Sequence, residues 1–356
     1  MKKGIVCLIL GITSILGSVF LTGCQSTKED SGAYDKAMTA LLEGDYDTAL
    51  AEFKNAADND HREAESYRGE GIVYYERGDY ESAIMLFDLS LKKMNFKNSD
   101  FETDVKLYEA DAYMKKSDYE TAHSIYQGLE EGDNAYTAYA REGVLYLKEQ
   151  NRDQAAQCFE QSVASKKNIE ICLYIYESYK DVNLEADGSK YLEEAADIKP
   201  STKEEYMKLG KVFEYLEDYD SAVESFNKAI EAGCTEAIDE LGRLYLDNNN
   251  ISDAKALYNN NLNEGQEIAA AYNGLAMCAI KEQDYDGALA YIEQGLSCGD
   301  QTANQNLLFN QIIVYEYKLE FDTAKQKTEE YLQLYPDDEK ASDEYKFLVH
   351  GASDET

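Results

Sequence analysis

The residues that could do chemistry in this chain are three histidines, seven cysteines and 70 acidic residues among 356. Catalytic and metal sites need such groups at defined spacings, as in Cys-x-x-Cys or histidines one helical turn apart. The histidines His61, His123 and His350 have no partner at such a spacing. Because the chain has so many acidic residues, pairs of carboxylates at a suitable spacing are expected by chance. We therefore expect no catalytic, cofactor-binding or metal-ligating residues, and the sequence argues against an enzyme.

Five cysteines follow residue 24, an odd number with no metal-type spacing, and buried small hydrophobes are the favoured interpretation. The sequence leaves open whether Cys158 and Cys172 pair.

A different chemistry is available at Cys24. The chain opens with Lys2 and Lys3, continues with the apolar stretch GIVCLILGITSILGSVFL, and reaches Cys24 at the end of LTGC. A basic start, an apolar middle and small residues at the end are typical of a secretory signal. As a helix, the apolar stretch would be about 27 Å long, which barely spans a hydrocarbon core of about 30 Å. A retained transmembrane anchor is the alternative, but no basic stop-transfer cluster follows.

Residues 21–24 resemble the bacterial lipobox. The resemblance implies that residues 1–23 are a cleaved lipoprotein signal peptide. It also implies that Cys24 carries a diacylglyceryl group and acyl chains such as palmitate, as the first residue of the mature chain. The protein would then lie on the extracytoplasmic face of a bacterial cell membrane. Two or three acyl chains hold a protein firmly, at about 0.8 kcal/mol per buried CH₂.

The charge balance is strongly acidic, with 34 Lys and Arg against 70 Asp and Glu and a formal net charge of −36. Such a chain is repelled by phosphate backbones, which argues against a nucleic-acid partner. It is also repelled by anionic lipid, so the acyl anchor must hold it at a membrane. A chain of this length exceeds a single compact core, and several domains or a repeat array are expected.

The sequence repeats with a period near 34 residues. EGDYDTALAEF at residue 43 returns as RGDYESAIMLF at residue 77 and KSDYETAHSIY at residue 116. A small residue marks the same place in nine units: Ala49, Ala83, Ala122, Ala155, Gly188, Ala222, Ala254, Ala288 and Ala324. A large apolar residue follows four positions later in eight of them, on the same helical face. Before each alanine, an earlier helix carries a small residue such as Gly143, and a turn of the GDY type joins the two helices.

This pattern resembles the tetratricopeptide repeat family over about residues 30–337. The resemblance implies an all-α, right-handed superhelical solenoid of about nine helix-turn-helix repeats with a C-terminal capping helix. Residues 24–32 would be the lipidated cysteine and a flexible tether, 33–337 the repeat array, and 338–356 the capping helix and an acidic tail. The fifth unit departs from the pattern because Tyr176 and Gly188 occupy the small-residue places. An extra loop is expected near NFKNSDFE, where one step lengthens to 39 residues.

Arrays of this family bind peptides or protein segments on a concave face that the first helices line. A lysine and an asparagine that hold C-terminal carboxylates in some members have no counterpart in the first four units. Apolar residues at inward places of these units form instead a candidate binding groove: Tyr34, Met38, Ile72, Tyr75, Leu107, Met114, Val144 and Leu147. The alternative is that they are interhelix core. In units five to seven the inward places become charged, as at Glu177, Lys211 and Arg243.

The sequence thus predicts a membrane-anchored envelope lipoprotein that acts as a non-catalytic protein-interaction scaffold or assembly factor, with an unidentified protein or peptide partner. The alternative is a surface receptor that captures a peptide or solute for uptake or sensing. A closed pocket would favour the receptor, whereas a long open groove would favour the scaffold.

Overall fold

The computed structural model describes residues 32–42, 44–59, 62–132, 134–265, 268–299, 301–336 and 338–350. Cys24 and the predicted signal peptide lie outside these residues. The described part of the chain forms nineteen α-helices and no strand. In chain order they are α1 (Ala33–Leu42), α2 (Tyr46–Asn59), α3 (Glu63–Glu76), α4 (Tyr80–Lys93), α5 (Ser99–Lys115), α6 (Tyr119–Gln127), α7 (Ala135–Lys148), α8 (Arg152–Ser165), α9 (Ile169–Asp181), α10 (Glu185–Ala196), α11 (Lys203–Tyr215), α12 (Tyr219–Glu231), α13 (Glu236–Asp247), α14 (Ile251–Glu264), α15 (Ile268–Lys281), α16 (Tyr285–Ser297), α17 (Gln301–Tyr317), α18 (Phe321–Leu334) and α19 (Glu339–His350).

The helices pair into nine units, each with a first and a second helix, from α1 and α2 to α17 and α18. Each helix packs on the next, and most first helices also pack on the first helix of the following unit. The final helix α19 packs on α18 and buries Ala341 and Leu348. The predicted all-α repeat solenoid with a terminal helix is therefore confirmed.

The recurring small and large residues form the core between the two helices of a unit. All eight alanines of the series are buried on second helices, and the aromatic side chains that follow them are buried too, as at Phe87 and Phe159. Gly143 faces this aromatic from the first helix, and a Cβ there would lie 2.5 Å from Phe159 Cε1. The absence of a side chain at Gly143 thus lets α7 and α8 approach closely.

The fifth unit reverses this arrangement. Its small residue Gly188 lies on the second helix, and a Cβ there would come 3.0 Å from Tyr179 Cβ and 3.2 Å from Tyr176 Cδ2. Aromatic side chains of α9 fill the space beside Gly188. In this unit the large residues therefore lie on the first helix and the small residue lies on the second.

Each unit turns between its helices through one residue with a left-handed backbone. Glycine holds this place at Gly44 and Gly78, but the other seven units use residues such as Gln150, Glu217 and Leu319. The expectation that glycine ends the first helix therefore applies to two units only. The predicted aspartate caps are present, since Asp79 accepts a hydrogen bond from the Ser82 amide at 3.1 Å.

The expected extra loop lies between α4 and α5. Residues 94–98 separate α4 from α5, and the rest of the inserted length extends α5 to seventeen residues. Asn98 explains where the helix starts, because its side chain accepts hydrogen bonds from the amides of Asp100 and Phe101 at 3.1 Å.

Candidate partner-binding surface

The nine first helices, α1 to α17 in odd numbers, lie side by side and form one surface of the array, which we call the first-helix face. Neighbouring first helices pack directly, except that such packing is minimal between α11 and α13. Since every unit contributes one helix, side chains at equivalent places form rows across this face. These rows differ in chemistry along the array.

The eight candidate groove residues divide by exposure. Tyr34, Met38 and Val144 are half-buried on the first-helix face. The other five are buried in the packing between helices: Ile72, Tyr75, Leu107, Met114 and Leu147. Interhelix packing, the alternative interpretation, accounts for these five side chains. A binding role for the set stays a prediction, and only the first three reach solvent.

A buried polar network that the sequence did not reveal runs beside these residues. Arg141 pairs with Asp111, and Tyr126 donates a hydrogen bond to the same carboxylate. Burial raises the pKa of Asp111, while the charge of Arg141 and the Tyr126 hydrogen bond oppose that shift. Arg68, also buried, pairs with Asp104, whose side chain is 41% exposed.

The two arginines of this network share one aromatic ring. Their guanidinium carbons lie 5.6 Å (Arg68) and 5.7 Å (Arg141) from the centroid of Tyr108, within the range of cation–π attraction. Each ion pair joins residues about one repeat apart. Opposite charges on successive first helices are therefore the sequence signal from which this network could have been predicted.

Units five to seven carry a row of cross-linked charges on the first-helix face. Lys208 Nζ lies 2.6 Å from Glu170 Oε1 between α11 and α9. Tyr215 donates a hydrogen bond to Glu177 at 3.2 Å between the same helices. The predicted charged stretch is therefore present, but its charges are used in contacts between units.

Ion pairs also join α11 to α13, where direct packing is minimal. Lys211 Nζ lies 2.6 Å from Glu240 Oε1, and Arg243 makes two hydrogen bonds of 2.9 Å to Glu214. Burial pushes the pKa of Glu240 upward, but Lys211 and Arg243 outweigh it and hold that pKa below its usual value. These charges fix the spacing of two units, which leaves them less available to a partner.

Units eight and nine present a different surface that the sequence analysis did not single out. Asn273 and Met277 lie one turn apart on α15, and Phe309, Ile313 and Tyr317 follow at one-turn steps on α17. The side chains are half-buried except Tyr317, which is 56% exposed. We call these residues, with Ile280, Lys281 and Asn310, the α15–α17 surface.

Comparison with known sequences decides the family. Tetratricopeptide repeat profiles match residues 34–94, 136–169, 206–232 and 240–303, which together make up just over half of the chain. The chain belongs to the tetratricopeptide repeat family. Among characterised relatives, this tetratricopeptide repeat protein is 21% identical over 276 residues to the Drosophila melanogaster protein called BBSome complex member BBS4 homolog. That match covers 77% of the chain and 51% of the relative, so the chain spans about half the relative's length.

Solved tetratricopeptide-type structures of low sequence identity resemble the array. Yeast Tom70 is 13% identical with a TM-score of 0.49, and the match covers 89% of this chain and 87% of Tom70. Pseudomonas aeruginosa pilF is 14% identical with a TM-score of 0.38, over 55% of this chain and 88% of pilF. MamA is 18% identical with a TM-score of 0.34, over 47% of this chain and 94% of MamA.

The one histidine of the tetratricopeptide array with described contacts lies between carboxylates. His123 on α6 places Nδ1 2.9 Å from Oε1 of Glu142 on α7 and Nε2 3.0 Å from Oε2 of Glu149, the residue directly after α7. In the described part of the chain, no group of three or more histidine, cysteine or acidic side chains is arranged to hold a metal ion. His123 therefore joins units three and four through hydrogen bonds.

The five cysteines of the array carry free thiols, so Cys158 and Cys172 are not paired. Four are buried, and Cys298 is exposed. Burial raises the pKa of Cys158 to about 12 and that of Cys172 to about 11. Thiols with raised pKa values are poor nucleophiles at neutral pH, in accord with a packing role.

Two of the hollows on the described part of the array are open to solvent. One lies beside Pro336 and Asp338, and the other beside Ala57 and Phe96. Among the helices of the described residues, none has both the length and the apolar character that a membrane crossing requires.

Proposed function

We propose that this protein is a lipid-anchored lipoprotein of the bacterial envelope whose tetratricopeptide array acts as a non-catalytic protein-interaction scaffold or assembly factor. The succession of nine first helices along one face of the array carries this proposal. It offers a surface far longer than one unit, on which an extended segment of another protein could meet several units at once. The proposed anchor at Cys24 rests on the sequence alone.

The relative from Drosophila melanogaster is named as a complex member, which accords with a scaffold role for the region over which the two chains match. A receptor for a small solute is the second candidate. It would be expected to enclose its ligand, and the open hollows near Pro336 and Phe96 give it no specific support.

Photo-crosslinking in the native membrane tests the scaffold. A photoreactive amino acid is placed at exposed first-helix positions, Lys115, Lys180 and Lys281. Matched controls carry it at exposed second-helix positions, Met85 and Glu224. We expect discrete crosslinked species from the first-helix positions and not from the controls. Crosslinks confined to the second-helix positions would show that partners bind the other side of the array.

A further inference from the structure

The α15–α17 surface keeps apolar side chains accessible on two neighbouring first helices. In units two to four the apolar inward residues are buried except Val144, which is half-buried, and in units five to seven charged side chains bond to one another. On α15 and α17, Met277, Ile280 and Ile313 are only half-buried, and Tyr317 is 56% exposed. Exposed apolar surface of this kind, rimmed by polar groups, is typical of an interaction site.

Two asparagine amides at one end of this surface bond to each other and leave further capacity. Asn310 Nδ2 donates to Asn273 Oδ1 at 2.8 Å, which joins α17 to α15. Whichever way the two amides are turned, one NH₂ group and one carbonyl group stay available for a ligand. The other contact of Asn273 is a weak one to Met277 Sδ at 4.0 Å. An amide donor beside an amide acceptor matches the C=O and N–H of a peptide backbone.

Lys281 supplies charge at the opposite end of the surface. It is exposed, lies one turn beyond Met277, and forms no ion pair with any other described residue. Its neighbour on α17 at the equivalent place is Tyr317, whose ring stacks on Tyr285 at 5.6 Å. At physiological salt the Debye length is about 8 Å, so acidic groups farther than this from a bound segment act on it only weakly.

The spacing of these groups sets the size of the ligand. Asn273 and Lys281 are eight residues apart on α15, a rise of about 12 Å along the helix. An extended peptide covers about 3.3 Å per residue and would span this distance in about four residues.

From these contacts we propose that the α15–α17 surface binds an extended peptide segment. The two asparagine amides hold its backbone, its apolar side chains pack on Met277 and Ile313, and an acidic side chain about four residues further along meets Lys281. This inference rests on the proposed scaffold function and gives the partner a chemistry.

Fluorescence anisotropy with the full chain tests the inference. The probes are fluorescein-labelled, C-terminally amidated peptides of sequence AVIVAE, AVIVAK and ASNSAE, so that no C-terminal carboxylate is present and the label is common to all three. We expect AVIVAE to bind about tenfold tighter than AVIVAK, since the charge changes from attraction to repulsion at Lys281. ASNSAE should bind least because it lacks the large apolar side chains.

A charge swap identifies the contact. Lys281→Glu should reverse the order of AVIVAE and AVIVAK, whereas the matched control Lys340→Glu, an exposed lysine on α19, should leave it unchanged. Asn310→Ala should weaken both apolar peptides alike, by about fivefold, because the backbone is common to them. If the circular dichroism melt of Lys281→Glu shows misfolding, Lys281→Gln replaces it. That variant should abolish the preference for AVIVAE over AVIVAK without reversing it.

An unchanged order in Lys281→Glu, or equal affinity of the wild-type chain for all three peptides, would overturn the inference. The scaffold proposal would then still stand if crosslinks form at Lys115 or Lys180. Loss of crosslinks at every first-helix position would instead remove both.

Discussion

Arg141 and Asp111 form an ion pair between α7 and α5 in which each side chain keeps only 6% of its solvent exposure. Tyr126, from the second helix of the same unit as Asp111, donates a hydrogen bond to the carboxylate, so three helices meet at one buried charge. A buried pair of this kind contributes little net stability compared with apolar residues of similar volume. Losing one partner is costly, however, because the other charge is left in the interior.

Asp111→Ala should therefore lower the free energy of unfolding by about 3–5 kcal/mol, since Arg141 would remain buried without a counter-charge. Urea denaturation followed by circular dichroism measures this. Asp88→Ala is the matched control, because Asp88 pairs with Lys92 on an exposed face and should cost about 0.5 kcal/mol or less. Equal losses in the two variants would mean that the buried pair is hydrated in solution.

Gly143→Leu tests the close approach of α7 and α8. Even a Cβ at Gly143 would lie 2.5 Å from the Phe159 ring, so a leucine must push the helices apart. The free energy of unfolding should fall by about 1–3 kcal/mol or more, whereas Lys116→Ala at an exposed turn should change it little. Denaturant melts of the two variants that coincide would contradict the assigned packing.

The sequence predicted those features that depend on spacing within one unit. Ala155 and Phe159 lie one turn apart, so their shared burial follows from helical periodicity alone. The partner of Asp111 lies thirty residues away in the next unit, and its identity depends on how two units are rotated against each other. Exposure depends on the same rotation, which is why the inward residue Ile72 is buried while its counterpart in unit nine, Ile313, reaches solvent.

Leu319→Gly should stabilise the array. Leu319 has φ of 60° in the last turn between paired helices, and its side chain is 72% exposed. A left-handed backbone costs a residue with a Cβ about 1–2 kcal/mol, part of which is offset by the greater freedom of glycine in the unfolded chain. A net gain of about 0.5–1 kcal/mol is expected from urea melts.

Substitution by glycine within a helix should lower the free energy of unfolding instead of raising it, and it serves as the control for Leu319→Gly. Met85 is 62% exposed within α4, and Met85→Gly should lower stability by about 1 kcal/mol. A loss of stability in Leu319→Gly would show that the exposed leucine side chain forms contacts beyond those seen here.

Cys24→Ala tests the proposed anchor. Without the thiol there is no site for the diacylglyceryl group, so the variant should accumulate as an uncleaved or soluble precursor. The wild-type protein should partition into the detergent phase, and mass spectrometry should find an acylated Cys24 at its N-terminus. A mature chain that begins elsewhere, or one that keeps residues 1–23, would exclude the lipoprotein assignment.

The pH dependence of stability should report on Glu316, at the packing of α17 near the final helix. Burial, and then the neighbouring carboxylate of Glu344, raise the pKa of Glu316 to about 8. Its Oε1 atom is buried and accepts no hydrogen bond, as expected for a carboxyl that keeps its proton in the folded state. At a pH between the pKa of Glu316 in the unfolded chain and its pKa in the folded chain, the folded chain therefore binds more protons than the unfolded chain.

This contribution to stability is fully present below the unfolded pKa of about 4.3 and is lost as pH rises through about 8. Other acidic groups also titrate, so the comparison must be made against Glu316→Gln, which keeps the shape and cannot ionise. As the pH rises from 6 to 9, the urea midpoint should fall more in the wild-type chain than in Glu316→Gln. An equal fall in both would show that the two carboxylates are hydrated and independent, and that α19 packs on the array without a shared proton.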